Sequence, residues 1–268
     1  MKNEELVSGE QRVASGEHPC ASATQTFKHS NVQAFKHSSF FTLHSSFIQV
    51  LFPSTCAACG RVLTVGEEQL CLHCLADIAS LGYADFDDNP AERQLAGLPH
   101  LVSASAMLAY RKESTVQKVV HSMKFRGNSE LCLMMGRQLA LDLHRGGRFD
   151  DVDLLVPVPL HWLRRLSRGY NQSLLLCRGM AEVLHLPISS GNLVRHRYTH
   201  KQSQQRSALR SSNVEGAFSV RHPEKLAGKH LLLVDDVLTT GATLSACADA
   251  LSTIPNIKLS VATLTMAG

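Results

Sequence analysis

The chain has 268 residues, 44% of them apolar and 19% charged, enough for one domain of ordinary size plus a small accessory module. No apolar run reaches the roughly 18 residues of a membrane-spanning helix, and the start Met1-Lys-Asn-Glu-Glu5 lacks the basic-then-apolar pattern of an export signal, so a cytoplasmic protein with eight reduced or metal-bound cysteines is expected. The net charge of +4 is uneven: His161 to Arg210 holds nine Arg or Lys against one acid, Glu182, a local +8 that leaves −4 for the rest.

Residues 1–44 are polar, rich in Ser and His, and nearly balanced in charge, which predicts a disordered tail. Its echoes, Phe-Lys-His-Ser at 27–30 and 35–38 and His-Ser-Ser-Phe at 37–40 and 44–47, are too short for folding repeats. Phe47–Phe52 reads as the end of a helix stopped by Pro53. Then come Cys56-Ala-Ala-Cys59-Gly60 and Cys71-Leu-His-Cys74, with eleven residues between the pairs. Two such knuckles supply four thiolates to a tetrahedral Zn²⁺, and a closed set of four sulfurs is structural, leaving no open position for catalysis. His73 is then a bystander. The competing readings are a redox dithiol or four ordinary buried cysteines. The module is placed at 45–80 and a linker at 81–99, where Asp85, Asp87, Asp88, Asn89 and Pro90 cluster.

The segment 100–268 is expected to form a mainly parallel α/β sheet flanked by helices. A strand is predicted at Leu101–Tyr110 and helices at about Ser114–Met123 and Glu130–Leu143. A strand at Val152–Val156 and a helix from about Asn171 to Leu184 follow. Short strands lie near Leu193 and Phe218, and a final strand runs from Lys258 to Leu264. Strands alternating with helices imply right-handed parallel crossovers. After the strand at 152–156, Pro157 and Pro159 fix its exit, and Arg164, Arg165 and Arg168 precede a helix capped by Asn171; arginine forks suit phosphate oxygens. Residues Arg195 to Asn213 are polar, basic and aperiodic, as in a loop that closes over a ligand. For any single arginine of this region, a solvated basic face is the alternative.

The densest signal is Leu231-Leu-Leu-Val-Asp235-Asp236-Val-Leu-Thr239-Thr240-Gly241-Ala242-Thr243-Leu244. Leu231 to Val234 suit a central strand covered on both faces, and the two acids stand at its carboxyl end, where open α/β sheets place ligands. The small residues 239–243 let backbone approach a ligand and offer hydroxyls. A helix from about Ala242 to Leu251 turns its positive end toward them, a cradle for phosphate. Carboxylates accept only, so Asp235 and Asp236 suit sugar hydroxyls or a metal. A plain strand ending in acids is the bland alternative. No G-x-x-x-x-G-K-[ST] and no G-x-G-x-x-G occurs.

This segment resembles the phosphoribosyl-pyrophosphate (PRPP) motif of type I phosphoribosyltransferases. The resemblance implies that Asp235 and Asp236 hold the ribose 2′ and 3′ hydroxyls and that Thr239, Thr240, Gly241, Ala242 and Thr243 hold the 5′-phosphate. Together with Lys124-Phe-Arg126-Gly127, Val156-Pro-Val-Pro-Leu-His161 with Arg165, Arg168-Gly-Tyr-Asn-Gln172, Gln202 with Arg210, and Asn213-Val-Glu-Gly-Ala-Phe218, it occurs in the order seen in the ComF competence-protein family. That family sets a four-cysteine zinc module before a type I phosphoribosyltransferase-like domain, and the likeness covers about residues 47–266. Gln205 and Leu209 depart from the pattern, and the tail has no counterpart in it.

A catalyst of this kind would displace pyrophosphate from C1 of PRPP through an oxocarbenium-like ribose. Mg²⁺, Arg165, Arg168 and loop cations such as Lys201 or Arg206 would neutralise the leaving charge. By family analogy Lys124 and Arg126 add pyrophosphate contacts; for Lys124 a helix-end charge is the equal alternative. The competing function is a non-catalytic PRPP sensor or an adaptor for single-stranded DNA or a DNA-uptake helicase, using the zinc ribbon and basic loops. Against direct DNA binding, the basic stretch has few stacking aromatics, Trp162, Tyr170 and Tyr198. Purine or pyrimidine salvage is a third reading, though no base-reading loop is visible.

Overall fold

The computed structural model describes residues 53–125, 127–160, 166, 168–196 and 216–267. The predicted tail, the helix end at Phe47–Phe52, and Arg126, Arg164, Arg165, Lys201 and Arg206 lie outside these residues.

Four parallel strands form the main sheet, β1 (Leu101–Tyr110), β2 (Leu154–Pro157), β5 (His230–Leu238) and β6 (Lys258–Ala267), in the spatial order β1-β6-β5-β2. Leu231–Val234 pair with Leu154–Pro157 on one side, and His230–Leu238 pair with Lys258–Met266 on the other, so β5 is central. A short antiparallel pair, β3 (Leu193–Arg195) and β4 (Phe218–Val220), stands apart.

Period-two alternation along the strands divides the core. Leu232 and Val234, with Ala262 and Leu264, face one layer that also holds Val119, Met123, Leu139, Leu143, Leu176 and Met180. Leu231 and Leu233, with Leu259 and Val261, face the other, which holds Leu95, Leu226, Leu244 and Leu251. The first layer comes from α3 (Thr115–Phe125), α4 (Ser129–Gly146) and α5 (Gln172–Leu184), and the second from α2 (Pro90–Leu95) and α6 (Ala242–Leu251). A mainly parallel sheet flanked by helices is therefore what the alternation of elements indicated. Helix α5 begins where its predicted cap stands, with Asn171 accepting from Ser173 N at 3.2 Å. It packs so closely on α4 that a Cβ on Gly179 would lie 2.1 Å from the Leu133 carbonyl oxygen.

The stretch 81–99, expected as a linker, carries a 3-10 turn at Tyr83–Asp85 and helix α2, whose Ala91 and Leu95 are buried. Fully buried Asn89 organises it. Its Oδ1 accepts from Ala91 N and Glu92 N, and its Nδ2 donates to the carbonyls of Tyr83, Phe86 and Ala104. Asn-Pro before a short apolar pattern is a helix start as well as a turn signal.

A cavity between the acid pair and the cysteine knuckles

The carboxyl ends of the strands open onto a cavity of about 740 Å³, within the usual size range of small-molecule sites. Asp235 and Asp236 lie in its wall, with Thr239 and Thr243 from the loop beyond β5. Strand β5 runs past both acids to Leu238, so the pair belongs to the last turns of a hydrogen-bonded strand: Asp235 is opposite Thr263, and the Asp236 carbonyl accepts from Thr265 Oγ1 at 3.1 Å.

Asp235 Oδ1 accepts from Ser173 Oγ at 3.0 Å and from the Asp236 amide at 2.9 Å. Burial first, and then the charge of Asp236, push its carboxyl up to about 7, although these two hydrogen bonds and Lys124 pull the other way. Asp236 Oδ2 meets Lys124 Nζ at 2.9 Å, with side chains only 14% and 20% exposed. Lys124 thus sits in the cavity as the counterion of the second acid, and it is the C-terminal position of α3 that brings it there.

Of the expected phosphate residues, Thr239 and Thr243 line the cavity, with Thr240, Gly241 and Ala242 between them in the chain. Thr240 Oγ1 accepts locally from Ala242 N at 3.5 Å, and the Thr239 carbonyl accepts from Gln94 Nε2. Gly241 caps α6 with φ +78°, a left-handed conformation that glycine adopts freely, and no side chain caps the helix. Apart from the long Ala242 N contact to Thr240 Oγ1, its first amides and positive dipole end face the loop without a side-chain cap. Arg168 also lines the cavity, donating to Gln172 Oε1 at 3.1 Å with its guanidinium 5.7 Å from the Phe125 ring centre. Arg126, Arg165 and Lys201 are outside the described residues.

Sequence reasoning missed several residues of this site. Ser173 lines it, as do Gln117 and His121 of α3 and Ala57 and Ala58 of the first knuckle, while Arg195, the start of the basic segment expected to face a ligand, lines it as well. Ser173, two residues past a recognised cap, could have been found by asking what the first turn of α5 faces. The knuckle residues carried no such signal.

The four cysteine sulfurs converge, each within 4.8 Å of the others, with Cys59 and Cys71 Sγ 3.8 Å apart. A tetrahedron of four sulfurs with bonds of about 2.3 Å to zinc has edges of about 3.8 Å, so the donor set fits that ion. Amides reinforce it: Cys71 N donates to Cys56 Sγ and Cys74 N to Cys71 Sγ, both at 3.4 Å. Burial raises the Cys56 thiol, but amide donors outweigh it and bring the group down to about 6. Burial and then the neighbouring sulfurs push Cys74 up. A fourth thiolate among three others forms readily only beside a cation. His73 is absent from the converging set.

One further polar cluster lies elsewhere. Buried His230 reaches Asp151 Oδ1 at 3.0 Å through Nδ1, off the angle of a good hydrogen bond, and Ser260 Oγ at 2.8 Å through Nε2. Ser260 is fully buried within the sheet at the end remote from the cavity, so this acid–imidazole–hydroxyl row has no nucleophile that a substrate could reach.

Two acids late in a central strand, a small-residue loop and a helix start without a side-chain cap together form a pocket suited to sugar hydroxyls and an anion. The family described as "Phosphoribosyl transferase domain" matches residues 171–264. The chain is similar to the DNA utilization protein YhgH of Escherichia coli (strain K12), 35% identical over 136 residues, which are 50% of this chain and 59% of that protein. It is also similar to Competence protein F of Haemophilus influenzae, 25% identical over 72% of this chain and 89% of the relative. To Competence protein ComFC of Bacillus subtilis it is 28% identical, over 52% of this chain and 54% of the relative. These relatives bear out the ComF resemblance, although the chain spans only about 59% of the YhgH proteins it matches. Among solved structures, adenine phosphoribosyltransferase from Saccharomyces cerevisiae is 16% identical with a TM-score of 0.31 over 53% of this chain and 72% of that one. An allosteric regulatory enzyme of purine biosynthesis is 20% identical with a TM-score of 0.32 over 52% of this chain and 25% of that one. Among the described residues, no helix is long and apolar enough to cross a membrane.

Proposed function

We propose that this chain is a PRPP-binding protein of the ComF type that works in the cytoplasm in DNA uptake or utilisation, and that it can transfer phosphoribosyl from PRPP. The observation that carries the reading is the placement of Asp235 and Asp236 beside Thr239 and Thr243 in one cavity wall, directly before the uncapped start of α6. Ionised carboxylates accept from the ribose 2′ and 3′ hydroxyls, while loop hydroxyls and helix amides hold the 5′-phosphate.

Mg²⁺ entering with PRPP would supply charge neutralisation at the pyrophosphate. Arg168 lines the cavity and can contribute to the same end, and so can Lys124, now on Asp236. In transfer, the C1–O bond to pyrophosphate breaks, a bond from C1 to the acceptor's nucleophilic atom forms, and the acceptor loses a proton. Positioning and electrostatics do most of this work. The names of the relatives motivate the DNA-handling context, and the converging cysteines motivate structural Zn²⁺.

Calorimetry with PRPP and Mg²⁺ on the wild type and on Asp235→Ala/Asp236→Ala tests the reading. Micromolar binding lost in the double variant supports the sugar site, and equal affinity of the two proteins removes it. Salt-dependent binding of single-stranded DNA that survives the same double change would instead support the adaptor reading.

A further inference from the structure

Helix α3 carries much of the cavity's inner wall through Gln117, Lys118, Val120, His121, Lys124 and Phe125. Its C-terminal turn is fixed from the α/β side, because the Met123 carbonyl accepts from Tyr170 OH at 2.6 Å and from Gln172 Nε2 at 3.3 Å. Its apolar face is buried in the core and Lys124 pairs with Asp236, and further hydrogen bonds reach it from the four-cysteine module. At the N-terminus Thr115 Oγ1 donates to Asp77 Oδ2, and Asp77 caps helix α1 (Leu72–Ala76), the helix that contains Cys74. Just beyond the C-terminus Asn128 Nδ2 donates to Gln69 Oε1 at 3.0 Å, while Asn128 Oδ1 caps α4 through Leu131 N. The Gln69 carbonyl in turn accepts from Ala57 N at 2.9 Å, which orients the knuckle turn whose Ala57 and Ala58 line the cavity.

Gln69 and Asp77 stand two and three residues from cysteines of the cluster, so whatever fixes the sulfurs fixes both of these side chains. We propose that the four-cysteine module is a clamp on α3, with Gln69 and Asp77 as its positioning residues, so that metal occupancy of the knuckles and ligand binding in the cavity are thermodynamically linked. The inference builds on the PRPP reading but concerns a different part of the protein. Metal-bound knuckles hold the helix at both ends and complete the cavity wall. Without metal the N-terminal half, Thr115 to His121, loses its only restraint from outside the α/β layer among the described side-chain hydrogen bonds. Linkage is reciprocal, so a ligand in the cavity must also tighten metal binding.

The full chain loaded with one Zn²⁺ is compared with the same protein after a zinc-selective chelator. Amide hydrogen exchange should rise at least tenfold in residues 115–122 and stay unchanged in β5 and α6. Equal exchange in α3 with and without zinc overturns the clamp, and so does a uniform rise throughout the domain. Gln69→Ala/Asp77→Ala, with all four cysteines intact, should keep its zinc yet show the same α3 exchange and PRPP binding about tenfold weaker, a coupling of ordinary size. Retention of wild-type exchange and affinity in that variant would refute the assigned roles. Zinc affinity, measured at equilibrium by competition with a chromophoric chelator, should rise about tenfold with saturating PRPP and Mg²⁺; an unchanged affinity in protein that binds PRPP refutes linkage. Should PRPP fail to bind even the zinc-loaded wild type, the functional reading falls, and the exchange experiment alone still decides the clamp.

Discussion

Asp235 should make ligand binding depend on pH in a range where ordinary carboxylates are silent. Burial and the neighbouring charge of Asp236 raise its carboxyl from the usual 3.8 to about 7. A sugar hydroxyl bonds much more strongly to the ionised form, a charge-assisted acceptor at both oxygens. At pH 6 about one molecule in eleven carries it, so affinity falls about tenfold per unit below 7, 1.36 kcal/mol each. The fold feels the opposite sign. A raised acid keeps its proton in the folded state while the unfolded chain releases it, so its destabilising contribution grows from about pH 4 to about pH 7 and is constant above. Calorimetric titrations with PRPP and Mg²⁺ between pH 6 and 8, on wild type and Asp235→Asn, isolate the effect because the ligand's own phosphate ionisation is common to both. The wild-type affinity should rise about tenfold more than the variant's across this range. Parallel curves would refute the argument, placing the carboxyl in its ordinary range or the sugar elsewhere.

Lys124→Met removes the ammonium 2.9 Å from Asp236; PRPP affinity at pH 8 should drop about tenfold for one lost charge-assisted contact, and the pH midpoint should move upward because Lys124 helps to ionise Asp235. Asn89→Ala deletes a helix cap and strips a side-chain donor from the buried Ala104 carbonyl and from the part-buried carbonyls of Tyr83 and Phe86, which should cost about 3 kcal/mol in urea unfolding. Gly179→Ala places a methyl 2.1 Å from the Leu133 carbonyl oxygen and should cost about 2 kcal/mol by forcing α4 and α5 apart, with PRPP affinity nearly unchanged.

The parts of the fold that could be read from sequence are those whose physics is local. Leu231–Val234 announce a strand covered on both faces because each face has its own apolar layer, and Asn171 announces a helix start because its side chain is the cap. The cysteine spacing announces convergence of four sulfurs. The stretch 81–99 was misleading for a related reason. Its acids and Asn-Pro are turn chemistry, but buried Asn89 also donates to the Ala104 carbonyl, fifteen residues away on β1, besides accepting from its neighbour Ala91 N. No local pattern contains that partner.

The candidate site divides along the same line. The acid pair and the threonine loop form one continuous strand–loop–helix segment, so their order in the chain is their order in space. Lys124, Ser173 and the knuckle alanines arrive on three other elements, and their chemistry depends on where those elements dock. Lys124 shows what is at stake: as a residue at a helix end it could have capped its own helix, yet the direction of α3 delivers it to Asp236. The helix direction is set by Met123 through Tyr170 and Gln172 at one end and by Asp77 at the other. An accessory module that appears in sequence only as a metal motif therefore helps to decide which cation reaches the second acid, and the charge balance of the cavity is a property of the two together.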